Sequence, residues 1–164
     1  MKTRRLTELA LLTAAALILF TVELQIPNPI PIPGVKLGLA NIVTVYAVYR
    51  YKPGETLMMV LVRIFLGSLF GGSMMSFLYS LAGSLLCLLG MLGLKHILSE
   101  KYIWLASILG AVCHNIGQIT VACLILGLGM LVYLPFLMVA GCLAGAFTGL
   151  CAQFVVQRGI RGKE

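Results

Sequence analysis

Two stretches of this chain, 64–94 and 102–157, contain no Asp, Glu, Lys or Arg. A helix crossing a bilayer needs roughly 20 mostly apolar residues, so the second stretch alone holds two crossings and the turn between them. In hydrocarbon every backbone N–H and C=O must be bonded within the protein, which leaves helices or closed barrels. The apolar runs are continuous and lack the two-residue alternation of a barrel strand. The fold class that follows is all-α: a polytopic membrane protein with a bundle of about six transmembrane helices. Composition agrees, since 60% of residues are hydrophobic and only 10% charged, against about 25% charged in soluble domains.

The helices fall at about 6–26, 35–50, 55–70, 74–94, 102–126 and 132–157, one transmembrane domain over 1–164. Four prolines in Pro27–Gly34 remove donors and force extended backbone, making a stiff loop between the first two helices. Gly71-Gly72-Ser73 and Gly127–Leu131 mark turns, and Pro135 is a candidate bend. The start, Lys2, Arg4 and Arg5 before an apolar run, imitates a secretory signal, but Ala14-Ala15-Ala16 sits mid-run and Glu23 follows; it reads as a retained helix.

The formal charge of +7 does not point to nucleic acid, because the basic residues sit in short clusters between apolar runs. With six crossings, Lys2, Arg4, Arg5, Arg50, Lys52, Lys95, Lys101, Arg158, Arg161 and Lys163 share one side and Lys36 has the other. That asymmetry places both ends in the cytoplasm of a multi-pass protein of the cell membrane.

Polar groups within the spans are costly and therefore informative. Arg63, mid-way along the third helix, must face the bundle interior or a wet cavity, either as an anion partner for a ligand or as a clamp on backbone carbonyls or Glu23. His114, Asn115 and Gln118 share one face of the fifth helix, as a pocket lining or as interhelical hydrogen bonds. Glu23, Gln25, Asn28, Lys36 and Asn41 gather at the far ends of the first two helices. Glu23 and Lys36 either pair or stand beneath the proline loop, which acts as a lid over an outward pocket that Lys36 reaches.

Small residues recur at four-residue spacing: Gly141, Gly145 and Gly149 on the sixth helix, Gly67 and Gly71 on the third, Ala106 and Gly110 on the fifth, Ala10 and Ala14 on the first. Such stripes let helices approach closely in lipid. On the first helix, a docking face for another membrane subunit is as good a reading as internal packing. The five cysteines, Cys87, Cys113, Cys123, Cys142 and Cys151, lie in apolar runs without a CxxC pair and read as small hydrophobes. No P-loop, HExxH or nucleophile elbow is present. No aspartate exists to build a Ser–His–Asp triad. The chain carries no catalytic, metal or cofactor motif.

The string Pro33-Gly34-Val35-Lys36-Leu37-Gly38-Leu39-Ala40-Asn41-Ile42 after the proline loop, with Arg63, Gly67 and the Gly71-Gly72-Ser73 turn, resembles the small bacterial membrane family called Gx transporters. That family also carries the label heptaprenyl diphosphate synthase component I. Prenyl elongation needs aspartate-rich magnesium sites, so the resemblance implies at most a non-catalytic membrane partner of a separate synthase. More broadly the plan is similar to the substrate-binding subunits of energy-coupling-factor transporters, whose first helix docks a coupling subunit through an alanine motif that Ala10 and Ala14 match. That likeness implies capture of a small molecule, with ATP hydrolysis on other chains. The family is also linked to membrane redox and flavin-related gene neighbourhoods, and further readings of the chain are a non-catalytic subunit of a quinone-related assembly or a structural anchor within a redox complex.

Overall fold

The computed structural model describes residues 3–25, 38–71 and 74–161. Its helices are α1 (Thr3–Gln25), α2 (Asn41–Arg50), α3 (Pro53–Gly71), α4 (Met74–Lys95), α5 (Ile103–Leu126) and α6 (Leu134–Arg161), with short 3-10 helices at Glu100–Tyr102 and Leu128–Tyr133. No strand occurs among the described residues. Five of the helices are long and apolar enough to cross a membrane, and the chain is a multi-pass membrane protein.

The exception is α2. The sequence predicts a helix from about 35 to 50, but the helix starts at Asn41. Gly38 takes a φ of +72°, a left-handed conformation that ends helical propagation and suits glycine. Its carbonyl then accepts the Asn41 N–H at 2.8 Å and opens the shorter helix. Ten residues rise only about 15 Å, half the hydrocarbon thickness. Pro135 is no bend either: it sits in the first turn of α6, where a missing N–H costs nothing.

The helices run alternately up and down. Tyr51, after α2, donates to Glu8 near the start of α1 at 3.2 Å, and Arg5 pairs with Glu55 at the start of α3 at 3.7 Å. Lys95 at the end of α4 donates to Val48 O of α2 at 2.6 Å. Gln153 in the last turns of α6 accepts the Trp104 N–H of α5 at 3.3 Å. The described ends of the chain therefore meet at one end of the bundle, hereafter the basic end, together with Arg4, Arg50, Lys52, Lys101 and Arg158. Glu55 also accepts the Lys52 N–H at 3.1 Å, capping α3 just ahead of its proline start.

The exterior is apolar and the interior partly polar, the reverse of a soluble protein. Leu11, Ile18, Phe65, Leu89, Leu124 and Leu143 stand exposed, while Thr13, Thr44, Thr56, Ser84, Ser107, Gln118 and Thr148 are buried. Lipid tails cannot drive helices together by hydrophobic burial, so close packing must do it. The glycines show how. A Cβ built on Gly117 would stand 2.7 Å from Ala82 O, one on Gly110 2.7 Å from Met91 Cγ, and one on Gly90 3.0 Å from Cys113 Sγ. On α6, a Cβ at Gly145 would lie 2.8 Å from Ile108 Cα and one at Gly149 2.7 Å from Trp104 Cα. The α6 stripe thus serves contact within the chain, and α4, α5 and α6 form the tightest part of the bundle. Toward the basic end, Val45, Val48, Cys87, Leu88, Met91, Ile103, Ala106, Ala152 and Val156 pack into an apolar cluster joining α2, α4, α5 and α6.

Candidate functional site

Among the described residues α2 begins only at Asn41, and a cavity lies at its N-terminal end. It measures about 100 Å³ of room for the centre of a water molecule. At about 10–15 Å³ per water by that measure, it holds several waters or a small ligand. All six helices contribute: Phe20 and Glu23 from α1, Asn41 at the start of α2 with Gly38 and Ala40 before it, Arg63 and Ser68 from α3, Ser80 and Ser84 from α4, His114, Asn115 and Gln118 from α5, and Gly141, Ala144 and Thr148 from α6.

Arg63 is held on one side. Its Nη1 donates to Ala40 O at 3.1 Å and to Thr44 Oγ1 at 3.2 Å, and its Nη2 to Ser84 Oγ at 3.4 Å. A guanidinium has five N–H donors, so these bonds fix its plane and use three of them. The clamp on a backbone carbonyl is present, and the side chain also lines the cavity. The acceptor it clamps belongs to the first residues of α2, whose N-terminus also lies at the cavity wall. A helix N-terminus carries partial positive charge, so two sources of positive potential converge there. Glu23, 8% exposed, accepts the Gly38 N–H at 2.6 Å through Oε1 and ties α1 to the segment leading into α2.

The polar face of α5 divides by role. Asn115 Nδ2 donates to Leu137 O, an interhelical bond to α6. His114 packs over Gly83 of α4, where a Cβ would stand 2.8 Å from its Cε1. Gln118 lies beside it, with its Cγ 3.0 Å from the same point. Asn41 reaches the floor, its Nδ2 3.9 Å from Cys87 Sγ. Lys36, Asn28 and the proline loop lie outside the described residues. Ala10 and Ala14 are exposed on the outer face of α1, away from the cavity.

Sequence reasoning missed the hydroxyls. Ser80 and Ser84 are four apart on α4, in a charge-free span, and both line the cavity. That spacing was the available signal, since two serines on one helical face in hydrocarbon need partners. Thr148 was also missed; it hydrogen-bonds Ser107 at 3.2 Å across α5 and α6 beneath the stripe of small residues.

No curated protein and no solved structure matches the chain. A family model does: that of heptaprenyl diphosphate synthase component I, over residues 12–155, a span that includes every residue lining the cavity. This chain belongs to the heptaprenyl diphosphate synthase component I family.

Proposed function

We propose that this chain is a membrane-embedded binding and uptake subunit for a small anionic molecule, comparable in plan to the substrate-binding components of energy-coupling-factor transporters. The observation that carries the proposal is the anchored Arg63 at a cavity to which every helix contributes. A half-length helix whose N-terminus points at a mid-membrane cavity is a recurring way to hold an anion in transporters. Arg63 supplies the charge, the start of α2 adds positive potential, and Asn41, His114 and Gln118 supply polar contacts, with Glu23 fixing the segment ahead of α2. The basic end faces the cytoplasm, so the cavity faces outward in the cell membrane. Ala10 and Ala14 form the docking face for a coupling subunit, and ATP hydrolysis belongs to its partners.

The test begins with gentle extraction from native membranes and mass spectrometry of the small molecules retained. Arg63→Ala should still insert and purify, and should lose the retained anion by tenfold or more, since a charge-assisted hydrogen bond contributes about 1.5–3 kcal/mol. Equal retention by Arg63→Ala, or no retained anion in the wild type, overturns the reading.

The family match favours a second reading, a non-catalytic membrane subunit of a heptaprenyl diphosphate synthase. The chain has no aspartate for a magnesium–diphosphate site, so the chemistry would reside in a separate subunit. Co-purification decides: ATPases with the chain favour uptake, whereas a soluble aspartate-rich prenyl synthase favours this alternative.

A further inference from the structure

The cavity has a small neighbour. Between α4, α5, the second 3-10 helix and α6 lies an annex of about 20 Å³ by the same measure, walled by Tyr79, Ile119, Ala122, Met130, Tyr133 and Leu137. Gln118 belongs to the walls of both spaces. It is 7% exposed, and its amide makes no hydrogen bond to a described residue. A primary amide offers two donors and an acceptor, and this one borders both spaces. Asn115, one turn earlier, spends the same chemistry on Leu137 O. Gln118 keeps its own for whatever occupies the cavity.

We propose that Gln118 is the specificity-determining residue of this cavity, and that the ligand is an amphipathic anion with three parts. Its oxyanion meets Arg63, a neutral hydrogen-bonding group meets Gln118, and a short apolar group enters the annex. The inference rests on the anion-binding reading above. The annex limits the apolar part: at about 10–15 Å³ per water it takes one or two waters' worth of volume, which suits a methyl or isopropyl group. The oxyanion is a carboxylate or a phosphate, because a guanidinium fork matches either.

The test uses the full-length chain in nanodiscs and calorimetric titration with simple probes. N-acetylvaline carries a carboxylate, an amide and an isopropyl group; N-acetylglycine lacks the isopropyl and isovalerate lacks the amide. Acetate and inorganic phosphate report which oxyanion is preferred. N-acetylvaline should bind tighter than either truncated probe. Gln118→Met, close in size but without the amide, should weaken N-acetylvaline about tenfold and leave isovalerate within twofold. Ala122→Leu, which fills the annex, should abolish the preference for N-acetylvaline over N-acetylglycine while N-acetylglycine binds as before. Gln118→Asn, which keeps the amide but draws it back, should fall between Met and wild type, and thermal melting of each variant checks its folding. Equal weakening of both probes by Gln118→Met, or an intact preference in Ala122→Leu, overturns the inference. If the anions bind through Arg63 while the Gln118 and Ala122 variants are silent, only this inference falls. If no probe shows Arg63-dependent binding, the anion reading falls and takes this inference with it.

Discussion

On the α4–α5–α6 side of the cavity the helices meet closely at glycines, backbone against backbone at Gly117, Gly145 and Gly149; on the α1–α2–α3 side they are tied by side chains. In the first region glycines at Gly83, Gly90, Gly110, Gly117, Gly145 and Gly149 leave no room for a Cβ without displacing a neighbour. In the second, the described glycine in close contact is Gly67, and what it meets is the Phe20 ring at 3.3 Å. Beside a buried apolar cluster of Leu9, Ala16, Val43, Met59, Val60 and Ile64, polar ties run there: Tyr51 to Glu8, Arg5 to Glu55, Arg63 to Ala40 and Thr44, Gly38 to Glu23. Packed backbone is stiff and either fits or fails, whereas hydrogen bonds can be exchanged singly. The cavity thus has a rigid wall on one side and, on the other, a charged wall whose elements can shift by breaking a few bonds.

That contrast can be broken by substitution. Gly117→Val should have the largest effect. Its new Cβ would meet Ala82 backbone atoms 2.7–2.9 Å away, where no side chain can turn aside, and overpacking costs about 1–3 kcal/mol or more. Loss of monodisperse protein, or a large drop in melting temperature, is the outcome; Gly54→Val, with nothing within 4 Å, is the control and should cost only a few tenths of a kcal/mol. If the two variants behave alike, the rigid-wall description is wrong.

Asn115→Leu should come next. It removes one α5–α6 hydrogen bond and leaves Leu137 O to its helix, a loss of about 0.6–1.7 kcal/mol by analogy with interhelical bonds in membranes. The melting temperature should fall modestly with the fold retained.

Tyr51→Phe should be smallest, a few tenths to about 1 kcal/mol, reduced by the partial exposure of the pair. It carries a pH signature. Burial first, and then the Glu8 carboxylate, raise the Tyr51 hydroxyl above its ordinary value. A raised pKa in the folded state means that the neutral phenol contributes stability fully below about pH 10, the unfolded value, and that this contribution fades as pH rises through the folded value. The wild-type advantage over Tyr51→Phe should therefore be flat near neutrality and shrink above about pH 10. A difference that grows with alkalinity would contradict the tie to Glu8.

How far the sequence foretold this molecule follows the same division. The charge-free runs revealed α4, α5 and α6, and the four-residue glycine stripe of α6 was legible because its spacing returns to one face at each turn. The matching glycines of α4 and α5, Gly83 with Gly90 and Gly110 with Gly117, recur every seven residues. They were invisible singly because their meaning lies in the antiparallel register that sets Gly83 against Gly117, Gly90 against Cys113 and Gly110 against Met91. Arg63 could be placed in the interior by cost alone, but its partners could not, since Ala40 O and Ser84 are brought to it by tertiary packing. The half-length of α2 was hidden because Leu37, Leu39 and Ala40 are as apolar as the helix that follows; only the backbone angle at Gly38 ends it.

The apolar cluster beneath Asn41 and Cys87 has a consequence of its own. Among the described residues, Val45, Met91, Ile103 and Val156 fill the space below the cavity floor with packed side chains. On the uptake reading proposed above, a solute held in the cavity would meet this cluster on its way to the basic end, and release there would require the helices around it to part.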